Sequence, residues 1–176
     1  MAALAWPRTA RAFCRTPTDP ACSTCDAACQ GLFWGGDCVS YSLNQRGSDD
    51  LLFSTLRDTI RLSFDHWQGI VCPADGLPTY LRFLDTDPAS CETVAFRPEQ
   101  GNVNLITWVE SGWTDDPYHA PAAIALTTVF YDPPTGRIYT ANTEFNGERF
   151  TFTVSDTFVL ADVENTMTHE AGHFLG

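Results

Sequence analysis

Two histidines and a glutamate near the end of the chain have the spacing of a zinc-hydrolase motif. The segment His169–His173 reads His-Glu-Ala-Gly-His, an H-E-x-x-H pattern. Positions i and i+4 of a helix lie on one face, so the imidazoles of His169 and His173 can converge on one metal ion. Zinc accepts neutral imidazole nitrogen and, in catalytic sites, keeps one position open for water. Glu170 could accept a proton from that water, which makes it the candidate general base.

The residues around the motif predict the helix that would carry it. Asp162 is a candidate N-cap, because its side chain can accept a hydrogen bond from an unpaired amide of the first turn. An apolar stripe follows at helical spacing. Its members are Val163, Met167, Ala171 and Phe174. Gly176 stands where a C′ glycine would end the helix. The alternative is a surface helix that carries two solvated histidines.

The motif with its following glycine, His-Glu-x-Gly-His-x-x-Gly, resembles the zinc helix of the metzincin metalloproteases, most closely the matrixin-like ones. In that family a third histidine follows the glycine, and a Met-containing turn lies below the metal. Neither is present by Gly176, so we expect a chain truncated after the zinc helix, with the C-terminal subdomain missing. The resemblance implies a secreted zinc endopeptidase, with His169 and His173 as metal ligands, Glu170 as general base and a protein or peptide as substrate.

Hydrophobic patterning predicts a first helix and several strands before the zinc helix. The helix is expected to start with a cap at Ser48 or Asp49, to end at Gln68 and to bury Leu52, Leu56, Ile60, Phe64 and Trp67. Strands are expected at Cys38–Asn44, Tyr80–Leu84, Val103–Val109, Ala122–Tyr131 and Arg137–Phe145, the fourth as a central strand. Asp132–Gly136 is a turn by composition. Asn146-Gly147 predicts a type I′ hairpin that returns through Phe150–Val154.

This order of elements, over about residues 38–176, also resembles the N-terminal subdomain of a zincin. The resemblance implies an α+β fold: a twisted mixed sheet of about five strands with an antiparallel edge strand, backed by two long helices. In that family the edge strand beside the cleft pairs with an extended peptide substrate, and strand addition is a natural way to hold a peptide backbone.

The first 38 residues are expected to lie outside the zincin-like domain. Residues 1–12 are a candidate signal-peptide remnant, because Ala10-Arg11-Ala12 has the small-x-small form of a cleavage site. The segment 13–38 is dense in cysteine, with Cys14, Cys22, Cys25, Cys29 and Cys38. Disulfides are favoured over a zinc knuckle or a redox pair at Cys22-x-x-Cys25. We guess a further pair between Cys72 and Cys91; with seven cysteines in all, one has no partner within the chain. The remaining residues, 39–176, are expected from the resemblance to form the zincin-like domain, truncated at the zinc helix.

Composition limits the partners of the protein. At 176 residues, with 44% hydrophobic and 18% charged residues, the chain is long enough for one globular domain. A net charge of −12 argues against nucleic acid and anionic membranes. That charge is more consistent with a soluble, exported protein, and we expect an extracellular monomer. No apolar run reaches the length of a membrane span. Two alternatives to the protease stay open: an inactive secreted peptide-binding module, and a zinc hydrolase of a non-protein substrate.

Three further features are candidates for minor roles. His119 could line the substrate cleft, with a solvated loop histidine as the simpler interpretation. His66 is expected at the surface or rim. Asp75, Asp85 and Asp87 could offer oxygens to a structural calcium ion, although they lack the spacing of an EF-hand loop.

Overall fold

A computed structural model of the chain describes residues 15–22, 29–73, 75–155 and 157–176. The proposed signal-peptide remnant at 1–12, Cys14 and Cys25 lie outside these residues. The elements in order are β1 (Phe33–Trp34), β2 (Cys38–Leu43), α1 (Phe53–Gln68), β3 (Arg82–Asp85), β4 (Leu105–Trp108), a short 3-10 helix (Trp113–Asp115), β5 (Ala125–Tyr131), β6 (Arg137–Phe145), β7 (Phe152–Thr153), β8 (Ala161–Asp162) and α2 (Val163–Phe174).

The fold is α+β, with a mostly parallel sheet and two helices. Within the described residues six strands form the main sheet, where β3, β2, β4 and β6 are successive parallel neighbours. β1 pairs with the beginning of β6, and β5 runs antiparallel along β6. The expected antiparallel edge strand is therefore β5. The apolar run was predicted to be central, and this was wrong: β5 pairs with β6 alone among the described strands, and each of its residues is half-buried.

The helices pack against each other and against one face of the sheet. An aromatic cluster joins the layers. The Phe64 ring of α1 lies 4.3 Å from the Tyr41 ring of β2 and 5.2 Å from the Phe174 ring of α2, measured between centroids. Two tryptophan side chains add hydrogen bonds to α2: Trp67 donates to the Thr168 carbonyl at 2.8 Å and Trp34 to the Phe174 carbonyl at 2.9 Å. The position of α2 is thus fixed from both sides.

Helix α1 begins later than predicted. Its N-cap is Leu52, which makes no side-chain capping bond and is 75% exposed instead of buried. Ser48 and Asp49 do not cap it, because the helix starts only at Phe53, and the Ser48 hydroxyl accepts from the Asp50 amide before the helix begins. The end at Gln68 is confirmed, and Leu56, Ile60 and Phe64 are buried as expected.

The predicted Asn146-Gly147 hairpin is also wrong. Asn146 is fully buried. Its side-chain Nδ2 donates to the Ala123 carbonyl, and its backbone amide donates to the Ile124 carbonyl. These bonds hold the end of β6 against the chain that leads into β5. Gly147 lacks the positive φ that a type I′ turn requires. The return strand shrinks to β7, which pairs in parallel with β8 just before α2.

The turn between β5 and β6 is confirmed. Gly136 has φ 76°, and its amide donates to the Asp132 carbonyl at 2.7 Å. A Cβ at Gly136 would lie 2.6 Å from the carbonyl oxygen of Gly31, so glycine is needed here both for its conformation and for the close approach.

The described cysteines contain a disulfide between Cys22 and Cys29, which excludes a redox disulfide between Cys22 and Cys25. Cys38, Cys72 and Cys91 are free and exposed, so the guessed Cys72–Cys91 pair is wrong. Neither helix that the structure describes is long and apolar enough to cross a membrane.

Candidate functional site

Helix α2 forms as its local sequence predicts. The Asp162 side chain accepts from the Asn165 amide at 2.7 Å, as an N-cap should. The apolar stripe is completely buried: Val163, Met167, Ala171 and Phe174 each have 0% exposure. After the C-cap at Leu175, Gly176 has φ 104°, and its amide donates to the His173 carbonyl. Burial of this stripe turns the histidine face of the helix towards solvent.

The two histidines of the motif converge. The Nε2 atoms of His169 and His173 are 3.2 Å apart, and both side chains are exposed. Two nitrogens bound to a tetrahedral zinc at about 2.0–2.1 Å would be separated by about 3.3 Å. The pair therefore has the bite of two zinc ligands. The same distance also suits an N–H···N hydrogen bond between two neutral rings. No third His, Cys, Asp or Glu joins them to make a three-residue metal group in the described part of the chain.

The Glu170 side chain is mostly buried in the gap between α2 and β5. It is 6% exposed, and its Oε2 accepts a hydrogen bond from the Thr127 hydroxyl at 2.7 Å. The Thr127 Oγ1 in turn lies 2.9 Å from the Thr143 Oγ1 of β6. Thr127 and Thr143 are direct cross-strand partners in the β5–β6 register.

Sequence reasoning missed the two threonines. A signal for Thr127 existed: residues of one strand face alternate, so Thr127 shares the helix-facing side with Ala125 and Val129. Both neighbours pack against the core. A polar residue inside an apolar stripe needs a polar partner. Nothing in the sequence named Glu170 or Thr143 as that partner.

A cleft of about 600 Å³ opens beside the motif. The residues that line it include His169 and Glu170 together with six apolar ones: Ala122, Ile124, Ala125, Val159, Leu160 and Ala161. Its apolar rim is exposed, with Leu160 at 58% and Val159 at 55%. The cleft therefore brings apolar residues, the beginning of an edge strand, His169 and Glu170 around one opening, and the second imidazole of the pair, that of His173, lies next to His169 on the helix.

His119 does not belong to this cleft, and it is not a solvated loop residue. It is 8% exposed, its ring is stacked on Trp113 at 3.9 Å, and its Nδ1 contacts the Trp113 carbonyl oxygen at 2.8 Å. Its Nε2 lies 3.2 Å from Glu144 on β6. Strand alternation puts Glu144 on the face opposite Thr143, and His119 lines a separate cavity there with Leu126. Burial raises the pKa of Glu144, and the hydrogen bond and charge of His119 oppose this.

The remaining candidates are dispersed. His66 is a surface residue whose Nε2 lies 2.8 Å from Glu164, consistent with the prediction. Asp85 is ion-paired with Arg57 at 2.7 Å, and Asp75 accepts from the Leu77 amide. The calcium ligands suggested from Asp75, Asp85 and Asp87 are therefore not gathered into a metal group within the residues that the structure covers.

No protein-family model matches the chain, and no curated protein is significantly similar to it in sequence.

Proposed function

We propose that the protein is a secreted zinc endopeptidase of the metzincin type, with a zincin-like fold. The observation that carries the proposal is the convergence of His169 and His173 with the bite of a zinc site, next to the buried carboxylate of Glu170. A catalytic zinc takes three protein ligands, so the histidine pair supplies two of them. When bound, zinc would polarise the scissile carbonyl and activate water.

The residues of the chain would divide the remaining work. Glu170 accepts a proton from the attacking water and then delivers it to the leaving amine, as a general base and acid. The beginning of β5 borders the cleft and is free to add an extended peptide as a further strand, because β5 pairs with β6 alone among the described strands. The apolar rim formed by Ile124, Val159 and Leu160 would receive a hydrophobic substrate side chain.

Glu170→Gln tests the role of the carboxylate. The variant should retain zinc and lose peptide hydrolysis by at least about 100-fold, because a general base contributes about 10²- to 10⁴-fold. Zinc content is measured by metal analysis after desalting, and hydrolysis with a quenched fluorescent peptide. His173→Ala should release the metal, whereas His66→Ala removes an exposed histidine outside the pair and should change neither quantity. Full activity in Glu170→Gln, or a wild-type protein that hydrolyses no peptide with zinc present, would overturn the proposal.

A second candidate is an inactive secreted peptide-binding module. It is favoured by the two-residue donor set, because a pair of histidines holds zinc less firmly than the three protein ligands of a catalytic site. In that case the protein should lose zinc on a desalting column and still bind extended peptides, with no product formed. A zinc hydrolase that acts on a non-protein substrate would instead hold its metal and leave every peptide intact.

A further inference from the structure

We propose that Thr127 and Thr143 are positioning residues that fix the orientation of Glu170 for its reaction. The inference rests on the proposed function, and it assigns a role to two residues outside the zinc motif. Its basis is a chain of hydrogen bonds from Thr143 on β6 through Thr127 on β5 to Glu170 on α2.

The direction of this chain follows from counting protons. An ionised carboxylate only accepts hydrogen bonds, so the single hydroxyl proton of Thr127 goes to Glu170 at 2.7 Å. The Thr127 oxygen is then left as an acceptor, and Thr143 must donate to it across 2.9 Å. Thr143 has 0% exposure and Glu170 6%, so water competes poorly for either bond. Consecutive hydrogen bonds in such surroundings polarise and strengthen one another.

The chain holds one carboxylate oxygen and leaves the other available. Oε2 accepts the hydrogen bond from Thr127. No described residue donates to Oε1, and Oε1 is not one of the fully buried atoms without a partner, so it is accessible to solvent. Glu170 also lines the cleft. One oxygen is therefore held at the strand, and the other has no protein donor and would be the one that takes the proton from the attacking water. A general base needs this fixed aim, because a misplacement of about 1 Å can cost about 100-fold in rate.

The β5–β6 ladder supplies the rigidity. Thr127 and Thr143 face each other in register, so backbone pairing rather than a loop sets the position of both hydroxyls. The first residue of the same strand, Ala125 of β5, lines the cleft. A peptide that pairs with β5 would consequently be held by the element that also orients the base.

The test compares side chains of equal shape with and without the hydroxyl. Thr127→Val should lower kcat by about 10- to 100-fold while KM and zinc content stay unchanged, and Thr127→Ser should restore most of the rate. Thr143→Val should lower kcat in the same direction by a smaller factor, since it acts through Thr127. The matched control is Thr128→Val, the adjacent strand residue whose side chain alternates to the opposite face.

A double-mutant cycle gives a readout that does not need turnover. Thr127→Val should increase the unfolding equilibrium constant about 5-fold or more with Glu170 present, and have a smaller effect in a Glu170→Ala background. If this coupling is absent, or if Thr127→Val keeps the wild-type kcat, the inference fails while the proposed function stands. A parallel loss of zinc or rise in KM would mean a merely structural role and also overturn it. A wild-type protein that cleaves nothing, with coupling present, refutes the proposed function and leaves only a structural hydrogen bond.

Discussion

The ring of Phe174 should be among the largest single contributors to the stability of the helix that carries the candidate site. It is fully buried, and its ring lies 5.2 Å from Phe64, 5.5 Å from Trp34 and 6.3 Å from Phe83. A buried phenylalanine removes about 150–250 Å² from water, which at about 25 cal/mol per Å² is about 4–6 kcal/mol. Measured phenylalanine-to-alanine costs are about 3–5 kcal/mol. We therefore expect Phe174→Ala to lower the free energy of unfolding by about 4 kcal/mol.

The chain offers a matched control in Phe158, which is 70% exposed. Phe158→Ala removes the same group from a position largely in water, and should change stability by less than about 0.5 kcal/mol. Urea unfolding, followed by tryptophan fluorescence, gives both values under the same conditions. The expected difference of about 3.5–4 kcal/mol corresponds to a change of about 300- to 700-fold in the unfolding equilibrium constant. If Phe174→Ala leaves too little folded protein, Phe174→Leu should show the same order with a smaller cost.

The two variants also test how the site depends on the core. Phe174 follows His173 directly, so loosening the last turn of α2 should weaken zinc binding by the histidine pair. Phe158→Ala should leave zinc binding unchanged. The reasoning would be refuted if the two variants differed in stability by less than about 2 kcal/mol, because burial of the ring would then not hold the helix in place.

Two further predictions concern the stability of the fold at positions that do not line the cleft. Burial, together with the charges of Asp49 and Asp50, raises the pKa of Glu110 above 4.5, and the Asp49 amide and Arg46 oppose this shift. The native state then binds more protons than the unfolded chain, so the free energy of unfolding should fall as pH rises from 4.5 through the raised pKa. Glu110→Gln should flatten that slope in unfolding curves recorded across this pH range. Gly136→Ala should lower the free energy of unfolding by about 1–3 kcal/mol, because φ is positive and the new Cβ would meet the Gly31 carbonyl. Gly101→Ala, where a Cβ meets nothing within 4 Å, should change it by less than about 0.5 kcal/mol, and equal melting temperatures for the two variants would contradict this account.

The local features of the candidate site were predictable because they depend on near neighbours. An N-cap is a contact over three residues, as between Asp162 and Asn165. The stripe from Val163 to Phe174 is a repeat of three to four residues, and the convergence of His169 and His173 follows from one helical turn. The same reasoning misplaced the start of α1, which has Leu52 as its N-cap and no side-chain capping bond. Capping preferences describe what a side chain can do locally, and they do not decide which of several neighbouring residues begins the helix.

The sequence by itself determined the H-E-x-x-H motif and the helix that presents it, since both are written in residue types at short, regular spacing, whereas the α+β fold was expected from the family resemblance. Tertiary structure alone decided that β5 is the edge strand, that His119 packs on Trp113 behind the sheet, and that Thr127 and Thr143 reach Glu170. Thr127 and Glu170 are 43 residues apart in the sequence. The alternation of side chains along a strand predicts which face of the sheet Thr127 occupies, but it does not predict which residue packs against that face. Pairing of distant segments supplies that partner, and so completes the surroundings of the carboxylate.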